Sequence, residues 1–111
     1  MTHLVLAHSP HGGAYTWQPV AEILRSRGHL VGSALAGWDG RRGWLYHVAV
    51  HRDERRRGIG GTLVAEIERR LRDLGCPKLN LIVWDDNTWA MRFWDALGYR
   101  REKTVEYAKE L

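Results

Sequence analysis

The sequence predicts an α/β domain of the α+β kind, a mixed sheet with a central antiparallel hairpin, a parallel β-α-β unit and flanking helices. Three observations carry this. Two apolar, strand-like runs, residues 30–36 and 44–50, enclose Trp38-Asp-Gly-Arg-Arg-Gly43, and Asp-Gly between such runs signals a hairpin. A glycine-rich turn, Gly58-Ile-Gly-Gly61, then opens a helix whose Leu63, Ile67, Leu71 and Leu74 share one face. Leu79 to Trp84 follows as a strand, and a right-handed crossover makes it parallel to residues 44–50.

Taken in order, residues 3–7 form a short apolar run of buried-strand type, followed by a turn rich in Ser, Pro and Gly. A helix is predicted from Thr16 or Trp17 to Arg27, with Trp17, Val20, Ile23 and Leu24 on its apolar side. Pro19 is tolerable in its first turn and Gly28 stops it. The outer face of the helix after the glycine turn pairs Glu66 with Arg70 and Glu68 with Arg72, and Gly75 and Pro77 end it. A second helix spans Thr88 to Ala96, stopped by Gly98, and residues 99–109 supply a last strand or hairpin.

At 111 residues the chain is one domain, residues 1–111, with 44% hydrophobic and 27% charged residues and no low-complexity stretch. The single cysteine, Cys76, excludes an internal disulfide and reads as packing; a cytoplasmic setting fits. No apolar run approaches the ~20 residues that span a bilayer, so no membrane partner is expected. The net charge of +4 is dispersed over residues 41–42, 55–57, 69–72 and 100–101, which argues for a solvated surface rather than a nucleic-acid interface. Six tryptophans leave some for a surface or interface.

The segment His51-Arg-Asp-Glu-Arg-Arg-Arg-Gly-Ile-Gly-Gly61 is suited to a pyrophosphate. Glycines at 58, 60 and 61 let main-chain N–H groups converge on an anion, the helix adds its positive end, and Arg55, Arg56 and Arg57 add mobile charge. The bland alternative for the arginines is a solvated cluster.

The order Arg55-x-x-Gly58-x-Gly60, preceded by Tyr46-His-Val-Ala-Val-His51, resembles the acyl-CoA motif of the GNAT acetyltransferase superfamily. Asn87-Thr-Trp-Ala-Met-Arg-Phe-Trp-Asp-Ala-Leu-Gly-Tyr99 resembles that superfamily's closing segment, and the resemblance covers about residues 29–111. It implies acetyl-CoA as co-substrate, an amine acceptor attacking the thioester directly, and no metal. By the same resemblance the pyrophosphate lies on the N–H groups from about Arg56 through Ile59 to Gly61. The pantetheine arm runs beside Val48, Ala49 and Val50, with the Val48 amide toward the thioester oxygen and Asn87 touching the arm; Asn87 equally suits a helix N-cap. Trp94 stands where the superfamily often has the tyrosine that protonates the leaving thiolate, and indole cannot act as that acid. Tyr99 or water would substitute. Tyr46 and His47 are candidates for the base, His47 having the more suitable ordinary pKa, although strand alternation would send one of the two into the core.

The first 29 residues, Leu4-Val-Leu-Ala-His8-Ser-Pro-His11-Gly12-Gly13 onward, resemble instead the opening strand, oxyanion loop and first helix of α/β-hydrolases. No Gly-x-Ser-x-Gly nucleophile elbow occurs, so hydrolase activity is not expected, and His8, His11 and the Gly12-Gly13 turn read as structural. Two resemblances meeting at Arg27-Gly-His-Leu-Val31 suggest a chimera in which a β-α unit packs on residues 30–111 and replaces the usual N-terminus. The superfamily's N-terminal helices normally wall the acceptor site. Their apparent replacement raises the rival reading of a non-catalytic module, or of a homodimer that rebuilds the wall. The acceptor stays open among small amines, amino acids, peptide N-termini and protein lysines.

Overall fold

A computed structural model of the chain describes residues 2–7, 18–26, 29–51 and 58–111. Strands β1 (Thr2–Ala7), β2 (Gln18–Ser26), β3 (His29–Trp38) and β4 (Gly43–Val50) are successive antiparallel neighbours. Helix α1 (Ile59–Asp73) follows, then the two-residue strand β5 (Leu79–Asn80), parallel to β4, and helix α2 (Thr88–Ala96).

The largest departure from the sequence reading is β2, where a helix was expected. Val20, Glu22 and Leu24 are buried in one row, while Ala21 and Ile23 point to the other face, so the working period is two. A glutamate in the buried row hid that alternation. Neighbours settle the choice, because β2 is laddered on both sides, by β1 and by β3. The expected β-α unit is therefore a β-β pair; Gly28 and the turn after residue 7 lie outside the described residues.

The hairpin between β3 and β4 is as expected. Asp39 Oδ1 accepts the N–H groups of Arg41 at 3.0 Å and Arg42 at 3.2 Å, and Gly40 takes φ 94° at the tip. Helix α1 lies across β2 and β3, burying Ile59, Leu63, Ile67 and Leu71 against Val20, Leu24, Val31, Ala34, Ala36 and Leu45. Leu74, expected on that face, is 38% exposed because it is the cap residue. A side chain such as Leu63, fully buried, contributes about 1.5–3 kcal/mol by leaving water.

Both helices end in the same motif. Cys76 N–H donates to Leu71 O and Gly75 N–H to Arg72 O, each at 2.9 Å, with Gly75 at φ 98°. In α2 the corresponding bonds run from Tyr99 to Trp94 and from Gly98 to Asp95, each at 3.0 Å, with Gly98 at φ 90°. This Schellman arrangement brings residues on either side of the stop together, and the rings of Trp94 and Tyr99 accordingly meet at 5.0 Å.

Of the strand expected over Leu79 to Trp84, only Leu79 and Asn80 pair, opposite Gly43 and Trp44; residues 81–84 then leave β4. Residues 99–109 form no strand either. Lys78 pairs with Glu102, and beyond it Val105 and Tyr107 are 79% and 93% exposed, so no apolar face is there to bury. On the outer face of α1, Glu66 meets Arg70 at 3.4 Å and also Arg69, whereas Glu68 is taken by Tyr99 rather than by the expected Arg72.

Candidate functional site

The parting of residues 81–84 from β4 opens a cleft of about 180 Å³ between Leu45–Val48 on one side and Leu81–Trp84 on the other, with Asn87, Ala90 and Trp94 of the α2 region at its end. Beyond Trp44 the β5-facing edge of β4 has lost its strand partner, which leaves backbone groups for an extended ligand arm. A volume this small suits the end of such an arm rather than a whole ligand needing roughly 300 Å³ or more.

Strand β4 carries an irregularity at the cleft. Leu35 of β3 faces His47 and Ala36 faces Leu45, so Tyr46 is the extra residue of a β-bulge. The bulge reverses the facing of the strand: Gly43 and Leu45 are buried before it, Val48 and Val50 pack on the core after it, and Ala49 is exposed. Tyr46 and His47 are consequently both exposed, whereas simple alternation would have buried one of them. Both line the cleft, and among the described residues they are the two titratable side chains that do so. The His47 ring reaches across to β3, where Nε2 lies 3.3 Å from Ser33 Oγ.

Helix α1 begins beside this strand. Gly58 holds φ 73°, a left-handed conformation that glycine adopts without strain, and a side chain there would meet nothing within 4 Å. The first intrahelical bond among the described residues is Thr62 N–H to Gly58 O at 3.0 Å, so the N–H groups of Ile59, Gly60 and Gly61 have no acceptor within the helix, and Gly58 has no side chain to cap them. The glycines are not alike, however. A carbon on Gly60 would strike Phe93 at 3.0 Å, and one on Gly61 would touch Leu97 at 3.6 Å, so these two let α2 approach rather than clear a path for an anion. Ile59 itself is core. Arg55, Arg56 and Arg57 lie outside the described residues, as do His8 and His11.

Asn87 is the N-cap of α2, its Oδ1 accepting Ala90 N–H at 3.0 Å, and it also lines the cleft. Trp94 lines the cleft edge-on to Phe93, at 4.9 Å and 83°. Tyr99 does not join them. Its hydroxyl donates to Glu68 Oε2 at 2.7 Å, and burial, then that hydrogen bond, then the Glu68 charge hold its pKa well above the ordinary tyrosine value. A phenol so placed is a weaker acid and is turned away from the cleft, which removes the geometric support for Tyr99 as proton donor. Cys76 Sγ donates to Lys78 O at 3.3 Å and packs against Gly43, which fits packing. Ser33, Glu68 and the buried Glu22 carry no motif, and only strand register and helix docking reveal them. Trp84, on the opposite wall, is 80% exposed at the cleft.

The Acetyltransferase (GNAT) family pattern matches residues 4–99. That span includes Arg27 to Val31, where the sequence suggested a junction of two ancestries, so one family describes both sides and the hydrolase-like reading of residues 1–29 is set aside. A protein named acetyltransferase from Yersinia pestis (strain Pestoides F) is 39% identical over 92 residues, 83% of this chain and 63% of that protein. Another from Sodalis glossinidius is 41% identical over 86 residues, 78% of this chain and 58% of the relative. The chain thus spans about three-fifths of the length of these relatives. Among solved structures, the aminoglycoside N-acetyltransferase AAC(6')-Iy bound to a CoA bisubstrate analogue superposes with a TM-score of 0.74 at 22% identity, covering 84% of this chain and 70% of that one. A ribosomal-protein-alanine N-acetyltransferase from Brucella melitensis biovar Abortus 2308 gives 0.69 at 20% identity, over 84% and 71% of the two chains. The structural likeness supports the fold, and the family match over residues 4–99 shows that this chain belongs to the GNAT acetyltransferase family.

Proposed function

We propose that this chain is an acetyl-CoA-dependent N-acetyltransferase domain that passes an acetyl group to an amine by direct attack. The observation that carries the reading is the bulged, one-sided edge of β4, which opens a narrow cleft near a helix start whose first N–H groups have no acceptor within the helix. The pyrophosphate would rest on the N–H groups of Ile59, Gly60 and Gly61, where the helix dipole favours negative charge. The arm would pair with the free edge of β4 along Val48 to Val50. The thioester would then lie at the bulge, where a main-chain N–H displaced from the ladder can meet the oxygen that becomes negative in the tetrahedral intermediate.

His47 accepts a proton from the incoming ammonium, and the neutral amine attacks. Collapse of the intermediate expels the CoA thiolate, which needs a proton; Trp94 cannot supply it and Tyr99 lies outside the cleft against Glu68, so the proton comes from the phenol of Tyr46, which lines the cleft. The aminoglycoside and ribosomal-protein acetyltransferases among the structural neighbours make amino sugars and peptide N-termini the first acceptors to try.

The test is calorimetric titration with acetyl-CoA and with desulfo-CoA, followed by a thiol-release assay with neamine, spermidine and an alanine-terminated peptide. Micromolar binding of both CoA compounds with acetylation of one amine is expected. No binding of either compound overturns the reading, and binding without transfer to any amine would favour a CoA-binding module.

A further inference from the structure

The hydrogen bond between Ser33 and His47 has a role open to it beyond holding two strands together. Register places Ser33 opposite Ala49 and Leu35 opposite His47, which makes Ser33 and His47 diagonal neighbours on one face. That face is the one turned away from α1, since Gly32, Ala34 and Ala36 look toward the helix. The bulge at Tyr46 puts His47 there. Ser33 is half-buried and does not line the cleft, so any influence on the reaction passes through the imidazole.

We propose, building on the acetyltransferase reading, that Ser33 is a positioning residue that selects the His47 tautomer with hydrogen on Nε2. A serine hydroxyl can donate or accept, so two arrangements satisfy the 3.3 Å contact. If Ser33 donated to Nε2, the only lone pair able to take a proton would be the one already engaged, and proton transfer would break the bond. If Nε2–H donates to Ser33 Oγ, the Nδ1 lone pair takes the proton from the substrate ammonium, and the imidazolium formed keeps the same Nε2–H bond. Only the second arrangement is unchanged by the transfer, and it fixes the ring while the charge appears.

The test compares the parent with Ser33→Ala and Ser33→Thr, using long-range proton–nitrogen correlation spectra of the ring, with the His47 signals assigned by His47→Gln. Kinetics use whichever of neamine, spermidine and the alanine-terminated peptide the parent acetylates. The parent should show the Nε2-protonated tautomer. Ser33→Ala should lose that bias and lower kcat roughly tenfold, part of the ~10²–10⁴ a positioned base supplies, with KM for acetyl-CoA unchanged. Ser33→Thr should restore both. An active parent whose His47 tautomer and kcat are the same in Ser33→Ala overturns the role of Ser33 alone. A parent that acetylates none of the three amines while its His47 spectrum still responds to Ser33→Ala overturns the catalytic reading on which that role rests.

Discussion

A side-chain carbon on Gly60 would lie 3.0 Å from both Cε1 and Cζ of Phe93, so the first turn of α1 and the middle of α2 meet at a glycine. The glycine turn therefore serves two ends. Gly58 satisfies the backbone, and Gly60 satisfies the contact between α1 and α2, the helix that borders the ligand cleft. Substitutions at the two sites should separate these ends.

Gly60→Val forces bulk against an aromatic ring and is expected to cost about 1–3 kcal/mol in urea unfolding. Gly58→Ala has room for its carbon but must hold φ 73°, and should cost about 1 kcal/mol. Acetyl-CoA affinity measured on the folded fraction should fall for Gly58→Val, whose branched side chain stands beside the first N–H groups of the helix. Equal stability of Gly60→Val and the parent would contradict the packing role.

Asn87 combines a cap with a place on the cleft wall. Asn87→Ala should lose about 1 kcal/mol of stability, whereas Asn87→Ser retains a capping oxygen and most of the stability. If the asparagine amide also touches the pantetheine arm, the serine variant should still bind acetyl-CoA up to about tenfold more weakly, the equivalent of one net hydrogen bond of ~1–1.5 kcal/mol. Parent-like affinity in the serine variant would reduce Asn87 to its cap.

Glu22 is fully buried on the α1 side of β2, and burial, reinforced by the Glu66 carboxylate, raises its pKa from 4.5 to about 7 against the opposing pull of Arg70 and Arg69. The folded chain therefore holds a proton that the unfolded chain releases at lower pH. Its contribution to stability is complete below about pH 4.5 and falls away as pH rises to about 7, by at most ~1.4 kcal/mol per pH unit. Glu22→Gln should flatten this slope and gain on the parent between pH 4 and pH 8. Parallel stability curves for the two proteins would contradict the raised pKa.

Tyr99→Phe should reduce stability by about 1.5 kcal/mol, since it removes a hydrogen bond to the Glu68 carboxylate. It should alter kcat less than Tyr46→Phe does, because Tyr46 lines the cleft and Tyr99 does not. A larger loss in kcat for Tyr99→Phe would return the proton-donor role to Tyr99.

Much of the helix-bearing half of the fold was legible along the chain, because its signals are local. Asp39-Gly40 makes its own turn, the row Leu63, Ile67, Leu71 requires only a helix, and Asn87 and Gly98 mark the two ends of α2 at the residues observed. The β4-loop-α1 unit and the order of its motifs were readable for the same reason. Strand β2 was not, because Glu22 interrupts its buried row and the strand exists through ladders to β1 and β3.

The site divides in the same way. Sequence alone determined which residue types are present near the cleft, among them Tyr46, His47, Asn87 and Trp94, and where a helix would start. Tertiary structure decided what each does: the register of β3 against β4 created the bulge that exposes both Tyr46 and His47 and set Ser33 beside the imidazole, and the docking of α2 made Gly60 a contact. It also carried the Tyr99 hydroxyl to Glu68, 31 residues away. The physical reason is separation along the chain. Propensity and periodicity act within a few residues, while register, facing and the neighbours of a hydroxyl are set by packing between elements that meet only after the sheet has formed.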